Sequence, residues 1–161
     1  MHVRKVAVVT LSFSLALSLS ACGAGNNAPT RMITQITDGV DGSVTSYGNN
    51  IRVDSVLLVA QADGSAVLVG TIVNENPTED SLLSITVGGI NATLPQKTLS
   101  LKQNQALRFA GESANASALI PGLNAAPGTR VKVQLSFASA GELTLDAIVR
   151  ERNGVYANVG V

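Results

Sequence analysis

The chain of 161 residues holds one histidine, one cysteine, two methionines and no tryptophan. Aromatic residues make up 3% of it and charged residues 14%. Each scarcity closes off some chemistry. Ser-His-Asp and Cys-His hydrolases need an imidazole or an equivalent base, and the one histidine, His2, stands at the start of an export signal. A Ser-Lys pair would be the remaining route, but Lys97, Lys102 and Lys132 sit in polar or alternating contexts that read as solvated. Structural zinc needs Cys/His clusters, and the sequence has none. A single cysteine allows no disulfide within one chain. Stability must therefore rest on core packing, and that core must be built from Val, Leu, Ile and Ala. The expectation is a protein that is not an enzyme, with no catalytic, cofactor-binding or metal-binding residues and no cofactor.

The N-terminus carries the most specific signal. His2, Arg4 and Lys5 form a basic start, and Val6 to Ala21 follows without a charge. A basic start, an apolar middle and a small-residue exit make a secretory signal. The run is shorter than the about 20 apolar residues a bilayer span needs, and Ser12, Ser14, Ser18 and Ser20 dilute it. It ends in Leu19-Ser20-Ala21-Cys22. That tetrad resembles the lipobox of bacterial lipoproteins at every position. The resemblance implies cleavage between Ala21 and Cys22 and a diacylglyceryl group on the Cys22 thiol. A plain secretory signal and an uncleaved anchor helix are the competing readings. Two acyl chains suffice for stable anchoring, at about 0.8 kcal/mol per buried CH₂. The expected location is the outer side of the cytoplasmic membrane, with lipid on Cys22 as the attachment.

Removal of residues 1–21 leaves about 140 residues, enough for one domain with a sizeable core. Arg4 and Lys5 leave with the signal, so 9 basic residues face 11 acidic ones. The mature net charge of about −2 and the lack of a basic patch give nucleic-acid binding no electrostatic support.

Gly23 to Thr30 is rich in Gly, Ala and Asn and reads as a flexible tether. The tether is assigned residues 22–46. It includes a weakly strand-like piece, Arg31 to Ile36, and two Asp-Gly turn signals in Asp38-Gly39-Val40-Asp41-Gly42. A domain over 47–161 follows. Ile51 to Ala60 and Ala66 to Val73 are apolar and β-branched around the turn signal Ala62-Asp63-Gly64-Ser65, which reads as a hairpin of long strands. The second of these is apolar on both faces, as in a central, covered strand. After the polar loop Asn74 to Asp80, Ser81 to Val87 is a strand closed by Gly88-Gly89. Thr93 to Pro95, Thr98 to Leu101 and Ala106 to Ala110 are shorter pieces. Gly111 to Gly128 supports either a helical turn near Ser113 to Leu119 or a long loop with one extended segment.

The clearest hairpin comes last. Val131, Val133, Leu135 and Phe137 share one face of its first strand, and Leu143, Leu145, Ala147 and Val149 one face of its second, around Ala140-Gly141-Glu142. Asn153-Gly154 marks a final turn. The pattern predicts an all-β, immunoglobulin-like or cupredoxin-like β-sandwich of about 7–8 strands, preceded by a signal helix and a tether.

Two sites can be weighed. Asp38 and Asp41 could offer oxygen ligands to calcium, although their spacing is not that of an EF-hand loop. Glu75, Glu79 and Asp80 form an acidic loop that reads as a solvated connection. Gly88-Gly89 follows a strand, but no helix period comes after it, so it does not read as a phosphate cradle.

The lipobox, the Gly/Asn tether and the terminal hairpin Val131 to Leu145 together resemble small actinobacterial lipoproteins of unknown function. Some of these are distantly similar to the periplasmic copper chaperones called PCu(A)C. That likeness implies a sandwich ending in a strand, an Ala-Gly turn and a strand. The chaperones bind Cu(I) through His and Met, soft ligands suited to that ion. Here Met32 is the one mature methionine, no mature histidine exists, and no position matches the metal motif. The expected function is a lipid-anchored domain with a binding or structural role at the envelope and an envelope protein as partner. Copper handling is the alternative.

Overall fold

The structure, a computed structural model, describes residues 38–160. The signal segment 1–21, Cys22 and Met32 lie outside the described residues. Ten strands run in the order β1 (Val40–Val44), β2 (Ile51–Ala60), β3 (Ala66–Asn74), β4 (Asp80–Val87), β5 (Ile90–Asn91), β6 (Leu99–Leu101), β7 (Ala106–Arg108), β8 (Leu119–Ile120), β9 (Arg130–Phe137) and β10 (Glu142–Glu151). No α-helix occurs among the described residues. Three of the strands lie beyond the expected 7–8: β5 and β8 are two-residue pieces, and β1 falls inside the span assigned to the tether. Gly111–Gly128 adopts the second of its two readings, a long loop whose extended segment is β8.

Two sheets face each other, and β10 belongs to both. Its first part pairs antiparallel with β9, from Glu142 opposite Ser136 to Ile148 opposite Arg130. Its last three residues pair parallel with β2, Val149 opposite Leu58 through Glu151 opposite Ala60. One sheet continues from β9 through β4 to β5 and β6, and the other from β2 to β3, which meets β7 and β8. β3 is therefore interior to its sheet, as its two apolar faces indicate. The core between the sheets takes Ile51, Val53, Val56 and Leu58 from β2, and Leu68 and Ile72 from β3. It takes Leu82, Ile85 and Val87 from β4, and Val133, Leu135, Leu145 and Val149 from the terminal hairpin.

Two long strands change phase midway. Inward residues of β2 run 51, 53, then 56, 58, and the register against β3 shifts between Asp54 and Leu57. In β4 the inward residues jump from Leu82 to Ile85, with a shift between Leu82 and Ser84. A one-residue slip would turn every later side chain to the wrong face. Each bulge absorbs the extra residue and keeps the apolar set inside. At the β2 bulge Ser55 takes φ 54, a left-handed conformation uncommon for a residue with a side chain. Its N–H donates to Asp41 Oδ1 at 2.6 Å.

That contact corrects the reading of residues 38–46. They are not the end of a tether: Val40–Val44 forms β1, with Gly42 opposite Val53 and Val44 opposite Ile51. The glycines of the two Asp-Gly pairs serve close approach. A Cβ on Gly39 would overlap the Ser55 carbonyl group, and one on Gly42 would press on Leu145. Gly88-Gly89 is a two-residue hairpin turn between Val87 and Ile90, both glycines at positive φ, as such turns require.

Candidate functional site

Four connections gather at one end of the sandwich: residues 45–50, 75–79, 102–105 and 138–141. Asn74, 1% exposed, stands at their root. Its Nδ2 donates to the carbonyls of Thr78 and Leu101, both at 2.8 Å, and its Oδ1 accepts the Asn76 N–H at 2.9 Å. Its backbone carbonyl accepts the Asn104 N–H at 2.7 Å. Asp80, 6% exposed, opens β4 and faces the β9–β10 turn. Its carboxylate accepts the N–H groups of Ser139 and Ala140, both at 2.9 Å, and of Ser81 at 2.7 Å. Each oxygen of the buried carboxylate is thus used, as a buried charge requires.

On these roots sits the loop Thr45 to Asn50. The Asn49 N–H and Nδ2 both close onto the Ser46 carbonyl at 3.0 Å. Asn76 Nδ2 donates to the Gly48 carbonyl, and the Glu75 N–H to that of Asn50 at 2.8 Å. Tyr47 lies at the top with φ 55 and its side chain fully exposed.

The candidate residues read from the sequence do not converge. Asp38 Oδ1 pairs with Arg150 Nη2 at 2.9 Å, and its Oδ2 accepts from Tyr156 OH at 3.4 Å. Asp41 is spent on the Ser55 bulge. The two carboxylates named for calcium thus serve different partners. Glu75 takes Arg52 Nε at 2.9 Å and Asn50 Nδ2 at 3.2 Å, while Glu79 takes the Ser100 hydroxyl. Of the acidic loop, Asp80 alone is buried and structural, which the solvated reading of the loop missed. Lys97, Lys102 and Lys132 are exposed. Among the described residues no three His, Cys, Asp or Glu side chains group as a metal site would need.

Hydrogen bonds donated to Glu75 and Asp54 hold the Arg52 guanidinium protonated above its ordinary range. The Ser65 hydroxyl and N–H lower the Asp63 carboxyl in the β2–β3 turn. Burial, then the negative Asp38 beside it, raises the Tyr156 phenol above its ordinary 10.0. A depression of about 390 Å³ lies over Val67, between Phe109, Ala116, Leu119 and Val159, and no titratable side chain lines it. None of these features assembles a nucleophile with a base.

The fold is that of a cupredoxin-like β-sandwich with β10 joining its sheets. No family model and no curated protein matches the chain. Solved structures do. The apo PCuAC domain from PmoF1 is 23% identical over 70% of this chain and 99% of that domain, with a TM-score of 0.57. The copper-bound PCuAC domain from PmoF2 is 18% identical over 70% of this chain and 98% of its own length, with a TM-score of 0.59. Both are likenesses of fold. Residues 38–160 contain no histidine, cysteine or methionine. Cu(I) prefers thiolate, thioether and imidazole donors, so the side chains of this domain do not fit that ion.

Proposed function

We propose that the chain is an exported bacterial lipoprotein. In this reading it is held on the outer side of the cytoplasmic membrane by lipid on Cys22, and it presents a non-catalytic domain of PCuAC-like fold that binds a protein of the envelope. The observation that carries the anchor is Leu19-Ser20-Ala21-Cys22 at the end of an uncharged run. For a non-catalytic role the support is a domain whose residues 38–160 offer no imidazole or thiol and in which Asp41 and Asp80 are spent on backbone N–H groups and Asp38 and Glu75 on arginines. Mass spectrometry of the mature N-terminus tests the anchor. The expected species begins at Cys22 and carries a diacylglyceryl group, and Cys22→Ala leaves precursor or released protein. An unmodified cysteine on the mature protein refutes the reading.

Copper handling is the second reading, favoured by the likeness to a copper-bound domain. With Cys22 lipidated, the mature chain brings a single soft ligand, Met32. One thioether does not build a tight Cu(I) site. Titration of residues 23–161 against a Cu(I) chelator is expected to show no competition. Sub-nanomolar binding at one ion per chain would establish the copper reading instead.

A further inference from the structure

We propose that the loop end of the sandwich, with Tyr47 at its tip, is the surface that docks an envelope protein, and that the Tyr47 ring enters an apolar pocket on that partner. The proposal rests on the binding role proposed above and names the surface for it. Three observations carry it.

Among the described residues Tyr47 is the one aromatic side chain wholly in water, at 100% exposure, while Phe109 and Phe137 are in the core. Its φ of 55 places a bulky residue in the left-handed region, where a non-glycine residue is held only if its surroundings over-determine it. Here they do. The hydrogen bonds from Asn49, Asn76 and Glu75 tie the 45–50 loop to itself and to the 75–79 loop. Asn49 Nδ2 also reaches the Ser139 carbonyl at 3.5 Å. The backbone that carries the ring is therefore fixed before any partner arrives, which removes the loop's share of the ordering cost of binding.

The composition fits protein recognition. The tip reads Thr45-Ser46-Tyr47-Gly48-Asn49-Asn50, flanked by Ala138-Ser139-Ala140-Gly141. Tyr, Ser, Gly and Asn are the residues that loop-built protein-binding surfaces favour, a rigid aromatic anchor among adaptable polar groups. A sugar-binding site would want a stacking platform. This surface has a single projecting ring, and Tyr156 sits beyond the far end of β10. Neither segment carries a charge; on the neighbouring loops Glu75 is paired with Arg52, Glu79 accepts from Ser100, and Lys102 is exposed, so contact through the Tyr47 ring itself should depend little on salt.

The test uses the full-length, lipidated chain in its native membrane, with the photoreactive analogue 4-benzoylphenylalanine in place of Tyr47. A second form carries the same probe in place of Thr144, on the exposed face of β10. The expected result is one discrete, protease-sensitive adduct from position 47, not seen from position 144, with unchanged yield in about 0.5 M NaCl. Added residues 23–161 should suppress it, and the same domain with Tyr47→Ala should fail to do so at least tenfold. Thermal melting of that variant checks that it folds. No adduct at position 47, equal adducts at both positions, or equal suppression by the two domains would overturn the proposal. So would an adduct resistant to protease and digested by a muramidase, which would make the ligand a glycan. An adduct from position 144 alone would leave the binding role standing and refute this surface. Fractionation of the same samples reports the anchor separately.

Discussion

Asp80→Ala is the substitution that tests how the loop end is held. It removes the acceptor for three backbone N–H groups, two of them from a turn 59 and 60 residues away. A hydrogen bond to a charged group contributes about 1.5–3 kcal/mol net. The three are not equal. The Ser81 N–H belongs to the next residue and can turn to water, and Ser139 is exposed. Ala140 is 6% exposed and its N–H would be left without a partner, at a cost of about 1–3 kcal/mol. Against these losses, alanine no longer has to bury a carboxylate, which offsets part of them. The balance is a loss of about 3 kcal/mol, and for a domain of this size that lowers Tm by about 10 °C. Asp80→Asn keeps one acceptor but turns an NH₂ toward the remaining donor, so it should recover little. Calorimetry gives the stability, and amide exchange at Ala140 gives the location. A fall below about 1 kcal/mol, or an Ala140 amide still protected in the variant, would mean that Asp80 does not hold the turn.

Gly39→Ala should expel β1, because its Cβ overlaps the Ser55 carbonyl group. The expected loss is about 2–3 kcal/mol by urea unfolding, and an unchanged midpoint would show that β1 does not pair with β2. In a Tyr47→Phe background Tyr156 is the only tyrosine, and its ultraviolet ionisation midpoint should lie above 10.0, since burial and Asp38 oppose the phenolate. The folded state then keeps its proton longer than the unfolded chain. The stability this contributes is present below pH 10 and drains as pH rises through the folded value. A midpoint at or below 10.0 would contradict the Asp38 pairing.

What could be read from the sequence was what local pattern controls. The β9–β10 hairpin alternates cleanly, so Val133, Leu135, Leu145 and Val149 declared their face. β2 and β3 were legible as a pair because β-branched runs flank an Asp-Gly turn. The bulges were not. In β2 the apolar residues run 51, 53, then 56 to 59 without a gap, and four in a row hide the change of phase that marks a bulge. In β4 the exposed Leu83 does the same. β1 was lost because Asp-Gly pairs signal turns. Their use here, a glycine against the Ser55 backbone and an aspartate on its N–H, depends on a chain segment 14 residues on. Asp80 and Asn74 looked like parts of a solvated loop for the same reason. Their partners include Leu101, Ser139 and Ala140, at separations no local pattern encodes.

The same side chains bear on what this fold does without metal donors. Metal binding can be coupled to folding, so that an ion orders the segments that hold it. Here the ordering is done within the chain. Asp41 ties β1 to the β2 bulge, Asn74 ties the 75–79 loop to β6, and Asp80 ties the start of β4 to the β9–β10 turn. Each tie is a short side chain with a fixed backbone partner, and the two at the loop end are nearly sealed from water. The order of that end therefore does not wait on an ion. Under the proposed reading the domain therefore presents the Tyr47 loop to its partner whether or not any metal is at hand.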